Sequence, residues 1–209
     1  MTRFSVLLSA ALASCLCTVA AAQESALKRI QTSFTLFQMG VDEAEPLYIL
    51  AAAQLRKSIP LSAGTLAPEG GTVAPALPLL DADAMLAAAA PLIAGDPALE
   101  DLAEDIKAAR SKGVSTGPVY SIVKIKAKGR DVYPSITFSG GKYAEIYVEG
   151  ASGTDLNLMI HDAKKRLVCS DTDISAVAYC GWHPKQNDTY SITVVNQSAR
   201  SGRYSLMSN

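Results

Sequence analysis

The feature that most constrains this chain is a run of strict two-residue alternation in its last third, ending around a pair of cysteines. Leu156, Leu158 and Ile160 alternate with Asn157, Met159 and His161, and Cys169 and Cys180 follow. Tyr190, Ile192 and Val194 then alternate with Ser191, Thr193 and Val195. Successive side chains of a strand point to opposite faces, so such a pattern puts every apolar residue on one side. Earlier segments behave alike: Val123, Ile125 and Ala127 alternate with Lys124, Lys126 and Lys128, and Ala144, Ile146 and Val148 with Tyr143, Glu145, Tyr147 and Glu149. Gly140-Gly141 and Gly150 to Gly153 punctuate the segments. Many short strands separated by glycine turns predict an antiparallel β-sandwich over residues 118–209.

The preceding part has a different composition. Residues 23–117 are rich in Ala and Leu and carry a net charge of −5, whereas residues 118–209 carry +3. The change falls near residues 113–117 and predicts an α+β chain, with helices before the boundary and strands after it. Leu27, Ile30, Phe34 and Phe37 have helical spacing, and Gly40 is placed to end that helix. Pro46 suits the first turn of a second helix whose apolar face would be Leu47, Leu50, Ala51 and Leu55. A third helix is expected from Asp81 to about Ala90, stopped or kinked by Pro91. In the fourth, Asp96 caps, Pro97 opens, Leu99, Leu102, Ile106 and Ala109 form the stripe, and Gly113 closes. The helical region is thus expected over 23–113, with a mobile linker or exposed loop at 60–80, where prolines and glycines concentrate.

The N-terminus predicts export. Arg3 precedes an apolar run, and Ala20-Ala21-Ala22 offers a cleavage site, so residues 1–22 read as a signal peptide. Leu12-Ala13-Ser14-Cys15 is a competing site that would leave a lipid anchor on Cys15. Both place the protein in the periplasm or outside the cell. Cleavage after Ala22 leaves Cys169 and Cys180, which in an oxidising compartment are expected to form a disulfide. Zinc is the rival reading, since His161 and His183 bracket the pair, but C-x10-C-x2-H matches no common finger.

Chemistry-bearing motifs are few. There is no HExxH, GxSxG, phosphate-binding loop or GxGxxG, and the chain holds two histidines. His161 is expected on the wet face of its strand and His183 in a turn. The expectation is a protein that is not an enzyme, with no cofactor, no bound metal and no nucleic-acid partner. Asp155, Asp162, Asp171 and Asp173 have the chemistry for calcium or for capping turns, and capping is the reading preferred. Lys164-Lys165-Arg166 reads as a solvated turn. Tyr143 and Tyr147 share a strand face, and as candidate binding residues they would stack on a sugar ring or anchor a partner. Packing beneath the helices is the other role open to them, and it is the one preferred.

The block Phe138-Ser-Gly-Gly-Lys142-Tyr-Ala-Glu-Ile-Tyr-Val148, then Thr154-Asp-Leu-Asn-Leu158, Ile160-His-Asp162, Trp182-His-Pro184, Asp188-Thr-Tyr-Ser-Ile-Thr-Val194 and Tyr204-Ser-Leu206, resembles the bacterial pre-peptidase C-terminal (PPC) domain. The resemblance covers about residues 119–209. It implies a jelly-roll-like β-sandwich of the kind appended, without catalytic role, to secreted enzymes, some of which help bind substrate polymers. Asn157 stands where the second acid of that motif is usual, which weakens any calcium site there, and no peptidase precedes the module. The functional expectation is a non-catalytic envelope protein whose sandwich binds a protein or polysaccharide partner. The alternative is an accessory, calcium-stabilised subunit of a secreted hydrolase.

Overall fold

Two-residue alternation needs two apolar faces to meet, and in the computed structural model, which describes residues 24–74, 79–109 and 117–209, they do. The fold is α+β. Its strands are β1 (Ser62–Ala63), β2 (Val119–Ile125), β3 (Arg130–Val132), β4 (Ile136–Phe138), β5 (Ala144–Gly150), β6 (Leu156–Asp162), β7 (Leu167–Asp171), β8 (Val177–Trp182), β9 (Asp188–Asn196) and β10 (Gly202–Ser208). One sheet has the order β1-β2-β10-β5-β8; the other runs β3-β9-β6-β7, with β4 also on β9. Among the described residues, all strand pairings are antiparallel except β1 with β2. Ile146 and Val148 from one sheet and Leu158, Ile160, Ile192 and Val194 from the other are completely buried, in the register that the alternation predicts. Trp182 closes one end of this core, its ring centroid 4.9 Å from Phe138 and 5.2 Å from Tyr190.

Cys169 on β7 and Cys180 on β8 form a disulfide with a Cα–Cα distance of 5.8 Å. It ties the edge of one sheet to the edge of the other. Beyond it the outer face of the second sheet, carrying Asn157, Met159 and His161, stays partly open.

Among the described residues, four helices precede the sandwich: α1 (Ala26–Asp42), α2 (Pro46–Lys57), α3 (Ala82–Ile93) and α4 (Pro97–Ala108). Each has an oxygen-bearing N-cap, Ser25, Glu45, Asp81 and Asp96, which accepts from an otherwise orphaned backbone N–H of the first turn. Ile49, Ala52 and Ala53 of α2 pack with Met85, Ala89 and Ile93 of α3, and Ile106 of α4 completes this second core. Alanines on the α2 stripe have no side-chain bulk to hold the neighbouring helices away.

Several expectations need correction. Gly40 does not end α1, which continues to Asp42; it is buried, and a Cβ there would sit 2.6 Å from Ile49 Cγ1. The glycine allows α2 to approach α1, and the reversal is made by residues 43–45, with Ala44 at φ 54°. The buried face of α2 is Ile49, Leu50, Ala52, Ala53 and Arg56, while Leu47 is 53% exposed. The neighbours α1, α3, α4 and, through Arg56, the sheet decide that face, and small size outweighs hydrophobicity where they converge. Pro91 lies inside α3, which runs on to Ile93.

The described parts of the expected linker do not run free. Residues 62–63 pair with β2, Gly64 N–H donates to the Tyr120 carbonyl (2.7 Å), Glu69 N–H to Val132 (2.7 Å) and Ala74 N–H to Ile122 (2.8 Å). Prolines and glycines here shape a chain laid along the sandwich, where backbone groups of the edge need partners. The signal peptide, Cys15, Pro75, Pro78 and Gly113 lie outside the described residues. No described helix is long and apolar enough to cross a membrane.

Candidate functional site

The outer face of the first sheet is where helices and sandwich meet, and its side chains follow from register. One cross-strand row is Ile122, Ser205, Glu149 and Val177; the next is Tyr120, Met207, Tyr147 and Tyr179; Glu145 and Gly181 come after it. Leu27 and Ile30 of α1, with Ile59, cover the middle of this face and pack on Tyr147 and Met207.

Tyr143 and Tyr147 therefore have different environments, and the candidate binding pair is corrected: Tyr147 takes the packing role and Tyr143 stays open. Tyr147 is completely buried under α1, which needs an apolar surface for its stripe. Its hydroxyl donates to Glu149 Oε2 at 3.0 Å. Glu149, also buried, accepts from Arg56 Nη2 at 2.9 Å and Nη1 at 3.3 Å. Arg56 Nε donates to Ser33 Oγ (2.8 Å), and Nη2 also points to the Ile30 carbonyl (3.4 Å). A buried charge is tolerable only when paired and hydrogen-bonded, and this network supplies both conditions. Burial, followed by the Glu149 charge, pushes the Tyr147 hydroxyl well above its ordinary pKa.

Tyr143 is 42% exposed, at the end of the same face and beyond the reach of α1. Its ring lies over Gly181, where any Cβ would collide with it, and its centroid is 4.7 Å from that of His183. Its hydroxyl is 3.3 Å from that of Tyr179, which donates to Glu145 Oε1 at 2.5 Å. Glu145 is buried and also receives the hydroxyl of Ser25, the N-cap of α1. Lys28 Nζ sits 3.5 Å above the centroid of the Tyr179 ring. At the C-terminus, Asn209 Nδ2 donates to the Tyr143 carbonyl (2.8 Å), and its Oδ1 accepts from Glu145 N–H (3.0 Å). Burial first, then the bond to Glu145, raises the Tyr179 pKa. Tyr143 is thus an open aromatic ring whose supports are themselves pinned.

The remaining candidates do not join it, except His183. His161 lies across the molecule on the outer face of the second sheet. Asp162 caps the turn before β7, accepting from Lys164 N–H and Arg166 N–H, both at 2.9 Å, and pairing with the Arg166 side chain. The Arg166 backbone N–H and then its side chain hold the Asp162 carboxyl below the ordinary range. Asp171 accepts from Tyr179 N–H (2.8 Å) and Asp173 N–H (3.4 Å). Among the described residues, no three His, Cys, Asp or Glu side chains are grouped to hold a metal ion.

Alternation alone missed the burial of Glu145 and Glu149 and the part played by Arg56. A signal for Arg56 exists: it stands at the i+7 position of the stripe Ile49, Ala52, Ala53, Arg56. A cation on a buried helical stripe demands a buried anion.

No protein-family model matches the chain, and no curated protein matches it in sequence. Solved structures similar to part of it include the pre-peptidase C-terminal domain of a collagenase from Bacillus anthracis, at 16% identity and TM-score 0.36, over 42% of this chain and 87% of that one. The Yersinia pseudotuberculosis-derived mitogen aligns at 16% identity and TM-score 0.33, over 44% and 85%. A periplasmic inhibitor of g-type lysozyme from Aeromonas hydrophila aligns at 9% identity and TM-score 0.34, over 46% and 90%.

Proposed function

We propose that this chain is an exported, non-catalytic binding module that holds a protein or polysaccharide partner in the cell envelope. The observation that carries the reading is Tyr143, an aromatic ring left open on a face where its strand neighbours are buried. A rigid aromatic loses little freedom on binding and offers both a flat apolar surface and a polar tip. His183 beside it and the Lys142 and Asn209 positions around it add hydrogen-bonding groups at the rim. Tyr143 is the binding residue in this reading; Tyr147 belongs to the packing between α1 and the sheet. The disulfide and the expected signal at residues 1–22 favour an oxidising compartment.

The test is native mass spectrometry of the protein purified from its own host's envelope. The reading expects a chain beginning at Gln23, two hydrogens lighter than its sequence mass, with a bound partner that is lost from a Tyr143→Ala variant. A chain retaining residues 1–22 would contradict export. A partner kept by the variant would contradict the site.

A further inference from the structure

At the opposite end of the covered sheet face from Tyr143 lies a cavity of about 420 Å3. Phe34, Phe37 and Val41 of α1 form one wall, Leu79 and Leu80 the other, and Ile122 part of the floor. Its volume falls within the range in which proteins hold small ligands. Its charged lining residues are Glu149 and Arg203. Glu149, which reaches the lining, is already neutralised by Arg56. Arg203 is not so matched. Its side chain makes no hydrogen bond or ion pair among the described residues. Directly across the β2–β10 register from it stands Lys124, which also lacks an ion pair among them. Like charges directly opposite each other on one face repel, so this pair lowers stability unless an anion sits between them or nearby. No described carboxylate makes an ion pair with either cation.

We propose that the cavity binds a single-chain anionic amphiphile, with the hydrocarbon chain between α1 and the segment leading into α3 and the acidic head at Arg203. The apolar walls exclude water from the chain, and the burial of its methylenes supplies the affinity. Arg203 donates to the head, and Lys124 adds a second positive charge beside it. The other polar lining residues, Gln38, Ser152, Tyr204 and Ser205, are neutral and place no negative charge against that head. This site is independent of the Tyr143 reading and lies several strand positions away from it.

Equilibrium dialysis of the mature protein with radiolabelled laurate, and with 1-lauroylglycerol as an uncharged head on the same chain, tests the assignment. Laurate is expected to bind the wild-type protein saturably and more tightly than 1-lauroylglycerol. Arg203→Gln is expected to weaken laurate about tenfold or more while leaving 1-lauroylglycerol unchanged, the loss of one charge-assisted hydrogen bond. Ala88→Phe, which fills the cavity from α3, is expected to weaken both, with its melting temperature as the check on folding. Tyr143→Ala is expected to change neither. The proposal is overturned if the wild-type protein takes up no laurate, if Arg203→Gln weakens both ligands equally or neither, or if a folded Ala88→Phe protein binds like the wild type.

Discussion

Arg56 Nη2 lies 2.9 Å from Glu149 Oε2, and only 2% and 3% of the two side chains are exposed. The pair joins α2 to β5, residues far apart in sequence, and its spare donors and acceptors are taken by Ser33, Ile30 and Tyr147. Removing one partner leaves the other charge buried without compensation. Arg56→Met is expected to cost about 3–5 kcal/mol in urea unfolding, and Glu149→Gln a comparable amount. The combined Arg56→Met, Glu149→Leu protein should recover part of that loss. Equal, additive losses of a few tenths would mean the pair is solvated in the native protein.

Gly40→Ala separates two effects of opposite sign. Helix propensity alone favours alanine by about 1 kcal/mol. The new Cβ, however, would lie 2.6 Å from Ile49 Cγ1 and 2.9 Å from its backbone nitrogen. Overpacking of this kind costs about 1–3 kcal/mol, so the melting temperature is expected to fall. A rise would mean α1 and α2 are not in contact there.

Reduction of Cys169–Cys180 should destabilise without unfolding at room temperature. The short loop it closes corresponds to about 3 kcal/mol of chain entropy. Denaturant midpoints with and without reductant, compared with the Cys169→Ser, Cys180→Ser double variant, check this. Midpoints unchanged by reductant and by the double variant alike would show that the bond contributes nothing.

Alkaline pH gives a fourth outcome. Tyr133, Tyr147, Tyr179 and Tyr204 all have raised pKa values, with burial the first cause in each. Tyr204 donates to Asp131 (2.9 Å) and lies 2.7 Å from the Tyr133 hydroxyl. The unfolded chain releases these protons near the ordinary value of about 10 and the folded one well above it. Their contribution is therefore complete below about pH 10 and is lost as pH rises toward the folded values. Phenolate absorbance should show a cooperative phase that coincides with loss of circular dichroism. Smooth, reversible ionisation of all eight tyrosines with the fold intact would contradict the burial.

An element is legible in the sequence to the degree that it has few neighbours. The inner faces of β5, β6 and β9 were legible because each meets one opposing sheet, and a period of two expresses that directly. The disulfide followed from composition and compartment. Residues serving two layers were harder to read. Glu145, Tyr147 and Glu149 look like a wet strand face until α1 is laid over them, and Gly40 looks like a helix stop until α2 approaches. Proline and glycine in residues 60–74 marked irregular backbone correctly but could not show that it would be fastened to β2. Tyr143 differs from Tyr147 only because α1 begins at Ala26 and covers one ring and not the other, a tertiary fact that no local pattern contains.

Whether Tyr143 anchors a partner is decided by a binding isotherm of wild-type and Tyr143→Ala proteins for the polysaccharide and protein fractions of the host envelope. Saturable binding to one fraction is expected, weakened about tenfold or more by Tyr143→Ala, as for an aromatic hot spot, with a melting temperature equal to wild type. Undiminished binding by a folded Tyr143→Ala protein, or weakening matched by a fall in its melting temperature, would contradict it.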